Sequence, residues 1–353
     1  MKRHTKEKVA LLKRCRSLYR VAATLPLDLE ALEADLHRVE DALRESVATD
    51  DAFLTEVAHT LIKAGGKRLR PVLTLAAAYM AQGVDGASAN GPHVTNEVVE
   101  GAVACELIHL GSLYHDDVMD EAATRRGVET ANARYGNFAA IVAGDYCLAV
   151  SAQIAARLGV EVSALLGYTI GQLCKGQVGE LVSLFSQERT EENYFNSIDG
   201  KTASLMAAAC KVGALMSKQS PEQVEALTTY GHRVGMVFQI ADDILDLIAT
   251  DEQLGKPAGN DLVEGVYTLP VLRAFLDPSM ADELKAALTA GVERASVDQV
   301  RKLVRASTGV EAALLVARTY ADEAVAALSS FPASPTHAEL AALPHRLLDR
   351  LPL

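Results

Sequence analysis

The chain has 353 residues, 49% of them hydrophobic, enough for a substantial core in one large domain or two. Its net charge is -12 and uneven: eight of the 34 Lys and Arg fall in the first 20 residues against one acid, leaving 26 basic and 45 acidic residues behind them. Such an acidic body argues against nonspecific nucleic-acid binding and admits metal ions that bridge protein acid to an acidic ligand.

Residues 1–25 read as a basic extension, "MKRHTKEKVALLKRCRSLYR" at its start. It suits an anionic membrane surface or, more simply, a solubilising tail. In "LDLEALEADLHRVEDALRESV", Leu29, Leu32, Leu36, Val39 and Leu43 recur at steps of three and four, which predicts an amphipathic helix. "DDAFLTEVAHTLIKAGG" predicts a second helix, from an Asp N-cap to a Gly stop. "KRLRP" follows as a short basic connection, with Pro71 placed for the first turn of "PVLTLAAAYMA". Residues 82–95 are rich in Gly and Asn and read as a loop. From Asn96 to Ala122 the helical pattern is unbroken, giving about 40 Å of helix, apolar round much of its circumference and so central. Apolar helices follow through "FAAIVAGDYCLAVSAQIAARL", "VSALLGYTIGQLCKGQVGELVSLF", "TASLMAAACKVGALM" and "EQVEALTTYGHRVGMVFQIADDILDLI". Residues 250–270 read as a long loop before a last set of helices ending in "LPHRLLDRLPL". No segment alternates as a strand would. The expected fold is all-α, a single domain over residues 26–353, a bundle larger than four helices.

No run of 18 uncharged apolar residues is present, so no transmembrane helix is expected, and no signal peptide is read at the N-terminus. Cys15, Cys105, Cys147, Cys174 and Cys210 form no C-x-x-C pair; reduced, buried thiols in the cytoplasm are the expectation.

Two short stretches carry the chemistry. "LYHDDVMDEAATRRG" contains Asp116, Asp117 and Asp120; "FQIADDILDLI" repeats the spacing with Asp242, Asp243 and Asp246. Residues four apart share a helix face, so Asp116 and Asp120 project together with Asp117 at the edge. A lone copy would read as a solvated helix face. Two copies, each flanked by apolar sequence, would repel if bare and need positive charge between them. Hard carboxylate oxygens without a Cys or His cluster favour Mg²⁺ or Mn²⁺ over Zn²⁺. Mg²⁺ is usually held by one or two carboxylates plus substrate phosphates, so the pattern also predicts a phosphorylated ligand. Lys67, Arg68 and Arg70 stand at a helix start, where backbone N–H groups favour anions; Arg125, Arg126, Lys201 and Lys256 are further cations. Singly each is a surface charge; together they would serve two anionic groups. His109 lies two turns before Asp116, either a polar residue satisfied in an apolar helix or a ligand contact.

The sequence resembles the trans-isoprenyl diphosphate synthases, the polyprenyl synthetase family. "GGKRLRP", "HLGSLYHDDVMDEAATRRG", "GQVGE", "KTASL", "FQIADDILD" and "GKPAGNDL" occur in the family's order over residues 65–261. The resemblance implies long helices around a deep apolar cavity, a homodimer, and head-to-tail joining of isopentenyl diphosphate to an allylic diphosphate. It implies that Asp116, Asp117, Asp120, Asp242 and Asp243 bind three Mg²⁺ on the allylic diphosphate, with Asp246 supporting the second cluster. Arg125, Lys201 and Lys256 would face that diphosphate. Lys67, Arg70, His109 and Arg126 would bind isopentenyl diphosphate. Thr202 and Gln239 would lie beside the nascent carbocation, and Gln177 and Glu180 near the metals. Glu180 departs from the family's frequent Asp, and Val266 stands where a Lys is common, which puts one diphosphate contact in doubt. Ionisation of the allylic substrate, attack by the isopentenyl double bond and proton loss to the departing diphosphate require that water be kept out, which would explain acid on buried helices.

Short-chain family members commonly place a bulky aromatic one turn before the first Asp. Here those positions are Gly111 and Ser112, so the cavity is expected to run deeper and the product to exceed geranylgeranyl. Ala139, Ala140, Ala143 and Gly144 fit either an open tunnel or tight helix packing. An apolar product implies peripheral membrane contact at its release. Among alternatives, a farnesyl or geranylgeranyl diphosphate synthase would differ only in length. A class I terpene cyclase would carry an Asn/Ser/Glu metal motif in place of the second acidic cluster. A non-catalytic lipid-binding subunit would have broken motifs.

Overall fold

The computed structural model describes residues 27, 29, 31–81, 94–254, 257–289 and 291–353, and the structural statements below concern these. The extension 1–25, Cys15, most of the predicted loop 82–95 and Lys256 lie outside them.

Helix α1 (Leu32–Ser46) buries Leu32, Val39 and Leu43, as its periodicity predicts. It also buries Asp35, which accepts from the Tyr79 hydroxyl at 2.8 Å and from Arg38 Nη1 at 2.7 Å. The second predicted helix divides into α2 (Ala52–Ala58) and α3 (Thr60–Lys63). Asp51 caps α2 by accepting from the Leu54 amide, and Gly65 (φ +74°) turns the chain out after α3. Helix α4 (Leu69–Ala81) carries Pro71 in its first turn, and α5 (Asn96–Met119) is buried on nearly all sides.

A feature absent from the sequence reading follows. Thr124–Arg125 (β1) and Val128–Glu129 (β2) pair antiparallel across Arg126 (φ +54°) and Gly127 (φ +78°). Positive φ at both central residues makes this a tight two-residue hairpin; strands of two residues leave no alternation to read. The fold is otherwise all-α, as expected.

The chain continues through α6 (Ala131–Tyr135), α7 (Asn137–Leu158), α8 (Val160–Leu181) and α9 (Glu191–Ile198). A π turn (Asp199–Ala203) joins α9 to α10 (Ser204–Met216). Helix α11 (Pro221–Ile248) opens with a capping box between Ser220 and Gln223. The stretch 250–270 holds two short helices, α12 (Asp251–Leu254) and α13 (Asn260–Glu264), and the start of α14 (Leu269–Ala274). The last helices are α15 (Ala281–Thr289), α16 (Val297–Ala306), α17 (Gly309–Ala327) and α18 (Pro335–Leu348).

Helix α11 belongs to both halves of the interior. Its Leu227, Tyr230 and Val234 pack with α1, α4, α5, α7 and α10; its Ile240, Ile244 and Leu247 pack with α14, α16 and α17. Helix α7 is long and apolar enough to cross a membrane by length and composition, though Asp145 breaks any uncharged run of 18. It carries Asp145 and Arg157, and 50% of its most apolar window is buried in the bundle, which is the position of a core helix. Cys105, Cys147 and Cys210 are buried and free as expected; Cys174 is free but exposed.

Helices α10 and α4 touch backbone to backbone at Gly213, where a Cβ would lie 2.1 Å from the Thr74 carbonyl oxygen. Gly213→Ala must push α4 and α10 apart, so stability should fall by about 1–3 kcal/mol. The check is a lower urea midpoint with an unchanged slope; an unchanged midpoint would show that the crossing is loose.

Candidate active site

The end of α5 presents the first acidic cluster. Asp116 is half-buried and Asp120 faces solvent, and both have Lys201 and Glu180 as charged neighbours, so they share a face as the four-residue spacing predicts. Asp117 turns away and is fully buried. Arg125 Nε, on β1, donates to its Oδ1 at 2.5 Å, while its Oδ2 has no hydrogen-bond partner. The Asp117 carbonyl accepts from the Ala122 amide and from Asn132 Nδ2, which fixes the hairpin against the end of α5.

The facing wall comes from α8 and the π turn. Lys201 Nζ donates to Glu180 Oε1 at 2.6 Å. Burial alone would lower the lysine's pKa; Glu180, Asp116 and Asp120 outweigh it and hold the ammonium above its usual range. Glu180 is also a charged neighbour of Asp243, so it stands between the two clusters. Glycines let the π turn seat. A Cβ at Gly176 would lie 2.5 Å from the Lys201 nitrogen, one at Gly200 2.6 Å from the Gln172 carbonyl oxygen, and one at Gly235 2.6 Å from the Ala203 Cα.

The second cluster lies on α11. Asp242 is exposed, whereas Asp243 and Asp246 are buried. Asp243 accepts from Tyr194 at Oδ2 (2.5 Å) and from Gln239 Nε2 at Oδ1 (2.8 Å). Gln239 Oε1 in turn accepts from Thr202 Oγ1 at 2.8 Å. Burial pushes the Asp243 carboxyl up to about 7, against the pull of the Tyr194 and Gln239 hydrogen bonds and with Asp242 and Glu180 adding to the rise. Asp246 holds the following loop: its carboxylate accepts from the Asp261 amide and its carbonyl from the Gly259 amide. Acid on these helices is therefore buried only in part. A half-packed helix turns neighbouring residues to different sides, and Asp120 and Asp242 reach water.

Cations gather beside α5. His109 is half-buried, and burial, then Arg70, Arg126, Arg125 and Arg68, hold its pKa well below the usual range. Arg70 Nε is buried without a hydrogen-bond partner. Arg126 donates to the Gly65 carbonyl, and Lys67 Nζ stands 5.6 Å from the Phe238 ring centroid, beside Gln239. The structure thus brings Arg70, His109 and Arg126 together, while Lys67 reaches toward Phe238 on α11. Arg68 is different: buried on the other side of the loop, it pairs with Glu40 and with Glu106 (3.0 Å) and serves the frame.

Among the described residues, no three His, Cys, Asp or Glu side chains converge to hold a metal ion unaided. The residues nonetheless fit a magnesium ion whose shell is completed by diphosphate and water. The donors are hard oxygens, Asp116 and Asp120 share an open face, and Asp117 keeps an unsatisfied oxygen.

The two chain-length positions have different surroundings. Gly111 backs onto α7: a Cβ there would lie 3.0 Å from the Gly144 carbonyl oxygen and 3.1 Å from Leu148 Cγ. Its small size, like that of buried Ala140, Ala143 and Gly144, is accounted for by close packing of α5 on α7. Ser112 is half-buried and donates to the His109 carbonyl at 2.9 Å, which leaves it as the candidate at this level. The sequence reading also missed Tyr194 and Arg189, whose side chains bear on the second cluster. Neither belongs to an acidic or basic motif, so no local pattern marks them.

Two carboxylate clusters joined through a Glu–Lys pair, beside a nest of arginines, in an all-helical bundle define a diphosphate-handling protein of the isoprenoid synthase type. The chain belongs to the polyprenyl synthetase family, whose profile matches residues 51–307. It is 40% identical over 316 residues to the nonaprenyl diphosphate synthase of Mycobacterium tuberculosis, covering 89% of this chain and 91% of that one. To heptaprenyl diphosphate synthase component 2 of Bacillus subtilis it is 34% identical over 313 residues, covering 88% and 87%. Its structure superposes, with a TM-score of 0.81 and 32% identity, on a polyprenyl synthase from Caulobacter crescentus complexed with calcium and isoprenyl diphosphate, covering 96% and 98%.

His109 gives a test of the cationic nest. Its folded-state pKa lies below the unfolded value of 6.5. Acidification through that value charges the unfolded imidazole first, so the folded state loses relative stability as pH falls. His109→Asn should reduce the loss between about pH 7 and pH 5.5, read as urea midpoints at the two pH values. An identical pH dependence in both proteins would place His109 outside the nest's field.

Proposed function

We propose that this chain is a magnesium-dependent synthase of long linear polyprenyl diphosphates, extending an allylic diphosphate with isopentenyl diphosphate. The observation that carries this is the pairing of Lys201 with Glu180 between the two carboxylate clusters, with the separate arginine nest around His109 a short way off. One anion meets carboxylates and a lysine, the other meets Arg70 and Arg126 with Lys67 and His109, which is what two chemically similar substrates with different fates require.

Lys201 and Arg125 face the allylic diphosphate and answer its charge as the C–O bond breaks. Magnesium held by Asp116, Asp117, Asp120, Asp242 and Asp243 supplies the rest of that neutralisation. Arg70, Arg126, Lys67 and neutral His109 grip isopentenyl diphosphate and hold its double bond toward the allylic carbon. Thr202 and Gln239, locked to each other, keep fixed oxygen dipoles beside the developing cation. The proton released on forming the new double bond passes to the departing diphosphate, so no side chain need act as base. Val266, half-buried, adds no charge where a lysine is common.

The molecule also has a face suited to a second copy. Phe138, Ile141 and Val142 on α7, Tyr168 and Val178 on α8 and Val182 just past its end are exposed. Phe138 stands three and four residues before Ile141 and Val142, and Val178 four before Val182, so these side chains form apolar patches that a homodimer would cover. The designation of the Bacillus subtilis relative as a component supports a second reading, in which an unlike subunit covers those patches.

Incubation with farnesyl diphosphate, labelled isopentenyl diphosphate and Mg²⁺ should yield products beyond geranylgeranyl, in the heptaprenyl to nonaprenyl range of the relatives. Chains that stop at geranylgeranyl would overturn the length, and no condensation would overturn the function. Asp116→Ala should lower turnover by at least about a hundredfold with the thermal midpoint preserved; near-normal turnover would remove Asp116 from the metal site.

Product length tests Ser112 separately. Ser112→Phe puts a ring one turn before Asp116 and should shift products toward farnesyl or geranylgeranyl diphosphate, resolved by chromatography after dephosphorylation. An unchanged distribution would show that the growing chain does not pass this side chain.

A further inference from the structure

Tyr194 and Arg189 are both buried, at 1% and 6% exposure, and neither belongs to the acidic or basic motifs. Tyr194 stands on α9 with its ring edge-on to Phe195 at 5.3 Å. Its hydroxyl donates to Asp243 Oδ2 at 2.5 Å. Arg189, in the connection between α8 and α9, lies against the other side of that couple, its guanidinium carbon 5.6 Å from the Tyr194 ring centroid. Arg189 Nη1 donates to the Tyr267 carbonyl at 3.0 Å, and its Nε is buried without a hydrogen-bond partner. A buried guanidinium with so few donors satisfied is costly unless nearby charge answers it. The charges that do so are Glu180, Asp243 and Asp261.

We propose that Tyr194, braced by Arg189, is a positioning residue that fixes the orientation of Asp243 toward a divalent cation bound with diphosphate. The inference rests on the reading above that Asp243 is a metal ligand. With Tyr194 on Oδ2 and Gln239 on Oδ1, the carboxylate plane cannot turn about its last bond. Each oxygen has two acceptor sites and spends one on the protein, so a second on each remains for a cation. Gln239 is itself held by Thr202, and the orientation therefore passes along one chain of donors from Thr202 to Gln239 to Asp243, closed at the far end by Tyr194. A cation on the ring face draws electron density from the phenol and strengthens its hydroxyl as a donor. Without that hydroxyl, Asp243 is held at one oxygen and must be ordered by the incoming cation itself.

Tyr194→Phe removes the hydroxyl alone and keeps the packing on Phe195 and Arg189. The first readout needs no turnover: the rise in thermal midpoint as Mg²⁺ is added in the presence of inorganic diphosphate. Losing a hydrogen bond to a charged group should raise the Mg²⁺ concentration needed for that rise about tenfold. The Mg²⁺ concentration for half-maximal rate should move by the same factor, with the KM for isopentenyl diphosphate unchanged. If Tyr194→Phe does not fold, Arg189→Lys, which shortens the brace, should shift the same two midpoints in the same direction. An unaltered Mg²⁺ requirement in both readouts, even with lower metal-free stability, would reduce the couple to a structural contact and overturn the proposal. A wild-type protein that neither responds to Mg²⁺ with diphosphate nor forms prenyl product would instead overturn the functional reading.

Discussion

A bundle of helices can carry ionised side chains inward only where each is answered by an opposite charge or a set of donors, because an unanswered charge costs several kcal/mol or more. In this molecule the Lys201–Glu180 pair is the joint on which that balance turns. From a backbone that lies in a π turn, Lys201 brings one ammonium to Asp116 and Asp120, while its partner Glu180 stands beside Asp243 as well. Away from the cleft the same rule yields closed networks. Arg68 is saturated by Glu40 and Glu106, and Asp35 by Tyr79 and Arg38. These fix α1, α4 and α5 against one another. Among the buried atoms left without a hydrogen-bond partner, Arg70 Nε and Asp117 Oδ2 stand where chemistry is proposed, and Glu106 Oε2, Arg233 Nε and Arg273 Nε stand elsewhere.

The π turn shows how a local irregularity becomes a functional direction. An ordinary helical turn would advance the chain about 100° per residue and could not meet α8 and α11 with consecutive side chains. The wider turn sends Lys201 to Glu180 and the next residue, Thr202, to Gln239. It fits only because Gly176 on α8 and Gly235 on α11 remove the side chains that would collide with it, and because Ser204 Oγ donates to the Gly200 carbonyl at 2.6 Å. Three glycines scattered over sixty residues of sequence therefore serve the placement of two polar side chains.

What could be read from the sequence follows from the range of each interaction. The four-residue partnership of Asp116 and Asp120, the Asp51 cap and the Pro71 helix start are local, and spacing reveals them. So is the sorting of charge by sign, which the family motifs make explicit. The fates of Arg68 and Arg70 were not legible, since they stand two apart in one basic run and part only when α1 and α5 supply Glu40 and Glu106 to one of them. At Gly111 a small residue suits a tunnel and a helix crossing equally, and only the fold shows its close approach to Gly144. Tyr194 and Arg189 were invisible: their relation to Asp243 spans about fifty residues and leaves no pattern in either segment.

The Asp-Asp step in each cluster has its own consequence. Adjacent residues on a helix point about 100° apart, so on a helix packed on one side the two cannot share an environment. Asp117 and Asp243 are buried and already engaged by Arg125 or by Tyr194 and Gln239; of their neighbours Asp116 is half-buried and Asp242 exposed, and Asp120, one turn beyond Asp116, reaches solvent. Each cluster therefore offers a wet carboxylate that can meet a hydrated cation and a dry one held in fixed orientation. On the proposed function, a cation held there would keep part of its water shell on the wet carboxylate, while Thr202 and Gln239 hold the dry one in place. The division between wet and dry, rather than burial of all the acid, would then reconcile a strongly hydrated metal with a reaction that excludes water.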